Sequence, residues 1–163
     1  MAVVGIIMGS ASDSEVMNHC VETLEEHNIS FDIIVASAHR DPDKVRTWVL
    51  NAEKRGNKII IAAAGMAAAL PGVVAAYTDL PVIGVPMNSG LNGMDSLLSI
   101  SQMPRGVPVA CMSIGKHGAV NAALFAKRIL DSSKPRSYTE QARNYADDRV
   151  MPGDHDQDLW RDD

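Results

Sequence analysis

AVVGIIMGSASD, residues 2–13, decides how the rest of the chain is read. Residues 2–8 are a near-continuous apolar run without alternation, as a central parallel strand covered on both faces requires. The run stops at Gly9. Ser12 and Glu15 have the spacing of a capping box, and Met17, Cys20, Val21 and Leu24 then recur at the helical period. This helix is predicted to end near Asn28. A buried strand feeding a helix through a short turn is the building unit of a parallel α/β sheet.

The unit repeats along the chain. Residues 33–36 form a second predicted strand, and Asp41-Pro42 supplies an N-cap and a first-turn proline for a helix burying Val45, Trp48, Val49 and Ala52, with Gly56 as its stop. Residues 58–64 form a third strand, which leads through a small-residue stretch to Leu70-Pro71-Gly72 and a short helix ending at Tyr77. Residues 81–86 and 107–112 form two more strands, separated by a Gly/Asn/Ser loop and a helix containing Leu97, Leu98 and Ile100. A helix over 119–130 carries Lys127 and Arg128 in its last turn, where cations favour the dipole. Pro135 then breaks the chain before a polar helix over 138–150. Five alternations predict a three-layer α/β architecture, with a parallel five-stranded sheet, right-handed crossovers and a C-terminal helical extension. Residues 1–135 are expected to form a single α/β domain. Residues 136–163 are expected to be a helix and acidic tail, packed on a neighbouring subunit or partly disordered.

The chain has 163 residues, enough for one core. It is 46% hydrophobic but only 4% aromatic, so that core must be built from Ala, Val, Ile, Leu and Met, with small residues drawing the layers close. The net charge of −5 resides in the tail: residues 147–163 hold seven Asp and two Arg, and the remainder is balanced. That distribution argues against a nucleic-acid face. Cys20 and Cys111 form no C-x-x-C pair, which points to core packing rather than zinc or redox chemistry. No apolar run reaches the ~18 residues of a membrane span, and no charged n-region with a cleavage site stands at the N-terminus. A cytoplasmic protein without a membrane partner is expected.

In such sheets ligands sit beyond the carboxyl ends of the strands, so the loops that matter begin at Gly9, Ser37, Gly65, Met87 and Ser113. The first combines a glycine, the hydroxyls of Ser10 and Ser12, and Asp13; it suits a phosphate or ribose hydroxyls, or simply caps a helix. The second, Ser37-Ala38-His39-Arg40, places an imidazole able to give and take a proton beside a guanidinium able to clamp a phosphate. A surface histidine beside a paired arginine is the plainer alternative. The third, over 62–72 and including Gly65, Ala68 and Leu70, offers only backbone amides and an apolar wall, suited to a flat heterocycle or carbon dioxide, or to close helix packing. The fourth, over 87–95, reads as a flexible cover with amide hydrogen-bonders. His19, His27 and His155 lie away from every predicted strand end, Trp48 reads as a helix-face packing residue, and Trp160 falls in the tail.

MGSASD at 8–13, SAHRDPDK at 37–44, LPG at 70–72, GVPMNSGLNGMDSLLSISQMPRGVPVA at 84–110 and GKHGAVNAAL at 115–124 together resemble the N5-carboxyaminoimidazole ribonucleotide mutase (PurE) family. The resemblance runs from Val3 to Leu130. It implies a flavodoxin-like (Rossmann-like) sheet, a homo-octamer of D4 symmetry, a ribonucleotide substrate, and no metal or organic cofactor. It implies movement of a carboxylate from the exocyclic nitrogen to ring carbon four of one imidazole ribonucleotide, with His39 as general acid/base and with Ser10, Asp13 and Arg40 binding the ribose phosphate. Ser12, Ser37, Ala38, Gly65, Ala68 and Leu70 complete the expected substrate contacts.

The chain departs from the family pattern GGAAHLPG, where Met66 and Ala69 replace a glycine and a second pocket histidine. His117, where the family more often has alanine, is a candidate substitute. The branch that carboxylates aminoimidazole ribonucleotide with free carbon dioxide also lacks a histidine there, and a catalytically altered paralogue or scaffold is a further alternative. Arg40 and LNGMDSL favour the mutase. Flavin binding is disfavoured by a first loop without a Thr/Ser-rich phosphate signature, and a phospho-receiver by Ala64 and Gly65 where a phospho-acceptor Asp would stand.

Overall fold

A computed structural model describes residues 1–132; the helix expected over 138–150 and the acidic tail lie outside them. Five parallel strands, β1 (Val4–Met8), β2 (Phe31–Val35), β3 (Ile59–Ala64), β4 (Val82–Pro86) and β5 (Ala110–Cys111), form one sheet in the order β2-β1-β3-β4-β5. Their register is fixed on both sides of β1: Ile6 lies opposite Ile33 in β2 and Ile61 in β3. This is the flavodoxin strand order, whose direction of progress reverses between β1 and β3 and opens a crevice there.

Among the described residues six α-helices cover the two faces: α1 (Ser14–Glu26), α2 (Pro42–Leu50), α3 (Ala52–Arg55), α4 (Leu70–Ala75), α5 (Met94–Ser101) and α6 (Lys116–Asp131). Alternation along the strands divides the core. Val4, Ile6 and Met8 meet α1 and α6 on one face, while Ile7, Ile60 and Ala62 meet α2 to α5 on the other. β1 and β3 are buried along their whole length, as their unbroken apolar runs predict. Truncating a fully buried isoleucine such as Ile6 or Ile61 to alanine should cost about 2–5 kcal/mol. Ala119, Ala122, Ala123 and Ala126 form the buried stripe of α6, which lets it pack closely beside α1.

Cys20 is fully buried and burial pushes its thiol up to about 12, consistent with a packing residue. Trp48 is only partly buried, its ring seated over Gly5; a β-carbon there would lie 2.8 Å from the indole. Gly56 ends α3 with φ +96°, the left-handed cap that glycine adopts without steric cost.

Several local expectations are corrected. The capping box is Ser10 with Asp13 around a 3-10 turn (Ala11–Asp13), and Ser12 with Glu15 does not form one. Asp41 precedes α2 but makes no side-chain capping bond. The helix expected as far as Gly56 breaks at Asn51, whose side chain donates to the Thr47 carbonyl at 2.8 Å; such bonding competes with the helical ladder. The fifth strand shrinks from 107–112 to two residues because Pro108 cannot donate to a ladder. No helix among the described residues is long and apolar enough to cross a membrane.

Candidate active site

At the carboxyl ends of β1, β2, β3 and β4 the loops enclose a cavity of about 580 Å³. Every residue expected in the site lines it: Ser10, Ser12 and Asp13 from the first loop, Ser37, Ala38, His39 and Arg40 from the second, and Gly65, Ala68 and Leu70 from the third.

The first loop is ordered by its own side chains. The Ser10 hydroxyl accepts from the Ser12 amide at 3.3 Å and the Ser12 hydroxyl at 2.8 Å, while the Asp13 carboxylate accepts from the Ser10 amide at 3.1 Å. Burial raises the Asp13 carboxyl above its ordinary 3.8, partly offset by hydrogen bonds from the Ser10 backbone and the Ser12 side chain. Such a carboxyl, held at a cavity wall, suits a hydrogen-bonding ligand.

The second loop is shaped by Ser37, a mostly buried hydroxyl accepting from the amides of both His39 and Arg40 at 3.3 Å. These bonds turn the chain so that His39 and Arg40 present exposed side chains at the cavity. Arg40 donates through Nη2 to the Gly9 carbonyl at 3.2 Å. Among the described residues nothing hydrogen-bonds the His39 ring, which leaves both ring nitrogens available to a ligand.

Opposite stands the small-residue wall. Ala68 and Leu70 are buried, and Met66, 70% exposed, adopts a left-handed backbone with φ +56° where the family pattern has glycine. The Ala69 methyl lines the cavity without adding a polar atom. His117 occupies the first turn of α6, is exposed and does not line this cavity. The fourth loop contributes Met87, Asn88 and Ser89. Ser89 was not among the residues expected to touch substrate. Its position at a strand end marks the loop, but its partner in the third loop, Met66, is 23 residues away in sequence.

An open parallel sheet of flavodoxin order, with a hydroxyl-rich turn, an imidazole-guanidinium pair and an apolar wall around its switch-point crevice, defines an α/β protein with its cavity where such sheets take their ligands. Residues 3–149 match the AIR carboxylase family, and the chain belongs to it. It is 57% identical over 145 residues to the N5-carboxyaminoimidazole ribonucleotide mutase of Bacillus subtilis, covering 86% of this chain and 90% of that protein. The mutase of Saccharolobus solfataricus is 52% identical, with 88% and 94% covered. Among solved structures, Treponema denticola PurE superposes with a TM-score of 0.72 at 28% identity, covering 90% of both chains.

Proposed function

We propose that the chain is an N5-carboxyaminoimidazole ribonucleotide mutase of purine biosynthesis. The observation that carries this reading is that, among the described residues, His39 is the only histidine lining a cavity walled by the Ser10-Asp13 turn, Arg40 and the apolar third loop, in a chain with curated mutase relatives at more than half identity.

Arg40 and the first loop hold the ribose phosphate, with Asp13 accepting from the ribose. That places the imidazole of the substrate between His39 and the apolar wall. The carbon–nitrogen bond to the N5 carboxylate breaks, carbon dioxide leaves, and His39 protonates the nitrogen. Ring carbon four then attacks the carbon dioxide held against the apolar wall, and His39 takes the proton that carbon four loses. One proton is given and one recovered, so no net acid or base is consumed. Confinement of the carbon dioxide beside its acceptor supplies proximity, and exclusion of water protects it.

We further propose a cytoplasmic homo-octamer. Exposed Leu91, Met94 and Leu98, on and just before α5, give this surface an apolar character suited to contacts between copies. Light scattering should give a mass far above 17.5 kDa, and a monomer at micromolar concentration would contradict the assembly.

The function is tested by comparing N5-carboxyaminoimidazole ribonucleotide with aminoimidazole ribonucleotide plus bicarbonate as substrates. Preferential conversion of the first supports the mutase. Turnover of only the second indicates a carboxylase using free carbon dioxide, and turnover of neither indicates an altered paralogue or scaffold.

A further inference from the structure

We propose that Ser89 is a positioning residue for this reaction, acting through the backbone amide of Met66 to hold the apolar wall in place; the proposal rests on the mutase reading for its kinetic consequences but not for its structural ones. The wall begins with a tight turn over residues 65–68, closed by the Ala68 amide donating to the Gly65 carbonyl at 3.0 Å. Its second residue, Met66, has φ +56°, a conformation that residues with a β-carbon adopt rarely and at a cost. Such a conformation persists only where the surroundings over-determine it. The Met66 side chain is too exposed for packing to supply that constraint.

The constraint comes from Ser89. Its hydroxyl oxygen accepts from the Met66 amide at 3.0 Å. The same hydroxyl faces both carboxylate oxygens of Asp95, at 2.8 and 2.9 Å, and the Ser96 hydroxyl at 3.0 Å. A hydroxyl has one proton and two lone pairs. The carboxylate can only accept, so the Ser89 proton goes to Asp95, and its lone pairs take the Met66 N–H and the Ser96 O–H. No capacity is left over, and the hydroxyl cannot rotate without breaking a bond.

The far end of this chain of bonds is rigid. Asp95 and Ser96 lie in the first turn of α5, and Ser96 is fully buried. Ser89 therefore ties a strained turn in the third loop to a helix on the sheet. The Met87 amide adds a second tie by donating to the Ala64 carbonyl at 2.9 Å. Gly65 lies between the two ties, and a β-carbon there would be in ordinary van der Waals contact with that of Met87, at 3.4 Å. The turn held in this way lines the cavity opposite the loop that carries His39, where its placement sets how near carbon dioxide is kept to the ring carbon.

The test uses the full chain and the variants Ser89→Ala, Ser89→Thr, Met66→Gly and Ser89→Ala with Met66→Gly. Loss of the clamp should lower kcat by about tenfold while KM moves less than about twofold, since a small misplacement of reacting groups costs turnover and the phosphate end is held elsewhere. Ser89→Thr keeps the hydroxyl and should retain most of the turnover. Adding Met66→Gly to Ser89→Ala should recover much of the lost kcat, because glycine takes the left-handed backbone without help. Amide hydrogen exchange supplies a readout independent of activity: the Met66 amide should lose protection in Ser89→Ala while β3 keeps its own. Unchanged Met66 exchange in Ser89→Ala would overturn the clamp whether or not the chain is a mutase. Faster exchange with unchanged kcat would overturn its role in the reaction, as would failure of Met66→Gly to recover turnover.

Discussion

Arg40 reaches from the end of β2 to the end of β1, donating through Nη2 to the carbonyl oxygen of Gly9 at 3.2 Å. The guanidinium thus stands over the same turn that carries Ser10 and Asp13, and among the described residues its other donors are unused and open to an anion. Arg40→Ala should raise KM on the order of tenfold or more, the scale of a lost charge-assisted hydrogen bond. Arg40→Lys should recover only part of this, because a point charge cannot reproduce the planar fork. Steady-state kinetics decide it, and an unchanged KM in Arg40→Ala removes the residue from the site.

Asp13 yields a prediction with a definite sign. Its carboxyl is raised above 3.8 in the fold by burial, so the charged form is disfavoured there. Its contribution to stability is complete below pH 3.8 and is lost as pH rises through the folded value. Asp13→Asn keeps an acceptor for the Ser10 amide and removes the charge. Its Tm should therefore exceed that of the parent chain at neutral pH, with the gap closing on acidification toward pH 4, while KM for substrate rises. Thermal scans across pH check the sign; a gap that widens in acid contradicts it.

Much of this arrangement is legible in the sequence, for physical reasons that differ between elements. The unbroken apolar runs of β1 and β3 announce strands buried on both faces, and a parallel α/β sheet then places its functional loops at the strand ends. Ser10, His39 and Arg40 are found that way. Ser10-Asp13 and Ser12-Glu15 carry the same spacing two residues apart, and only the 3-10 turn distinguishes the pair that forms the capping box. β5 is shorter than its apolar residues suggest, because Val107 and Val109 read as strand while Pro108 between them limits the pairing. Ser89 escaped notice as a structural residue because its bond to Met66 spans 23 residues of sequence and depends on how two loops meet.

Ala69 is one of the positions where the chain departs from the pattern it resembles, and a histidine can be put back there. Among the described residues His39 is the only histidine lining the cavity, so the pH profile of kcat should reflect a single shuttle group. Ala69→His should add a second ionisation to that profile. A superimposable profile would show that a side chain at this position does not reach the reacting atoms.

Proton transfer by His39 is the step on which the proposed reaction turns, and His39→Asn measures it most directly. The asparagine keeps a polar side chain of similar reach but cannot exchange a proton near neutral pH. With N5-carboxyaminoimidazole ribonucleotide as substrate, kcat should fall by at least ~10², while the CD spectrum and the binding constant for substrate stay within about twofold of the parent. His117→Ala, measured alongside, should leave kcat unchanged because His117 lies outside the cavity. Near-parental turnover in His39→Asn, with or without a loss in His117→Ala, would contradict the assignment and move the proton chemistry to another group.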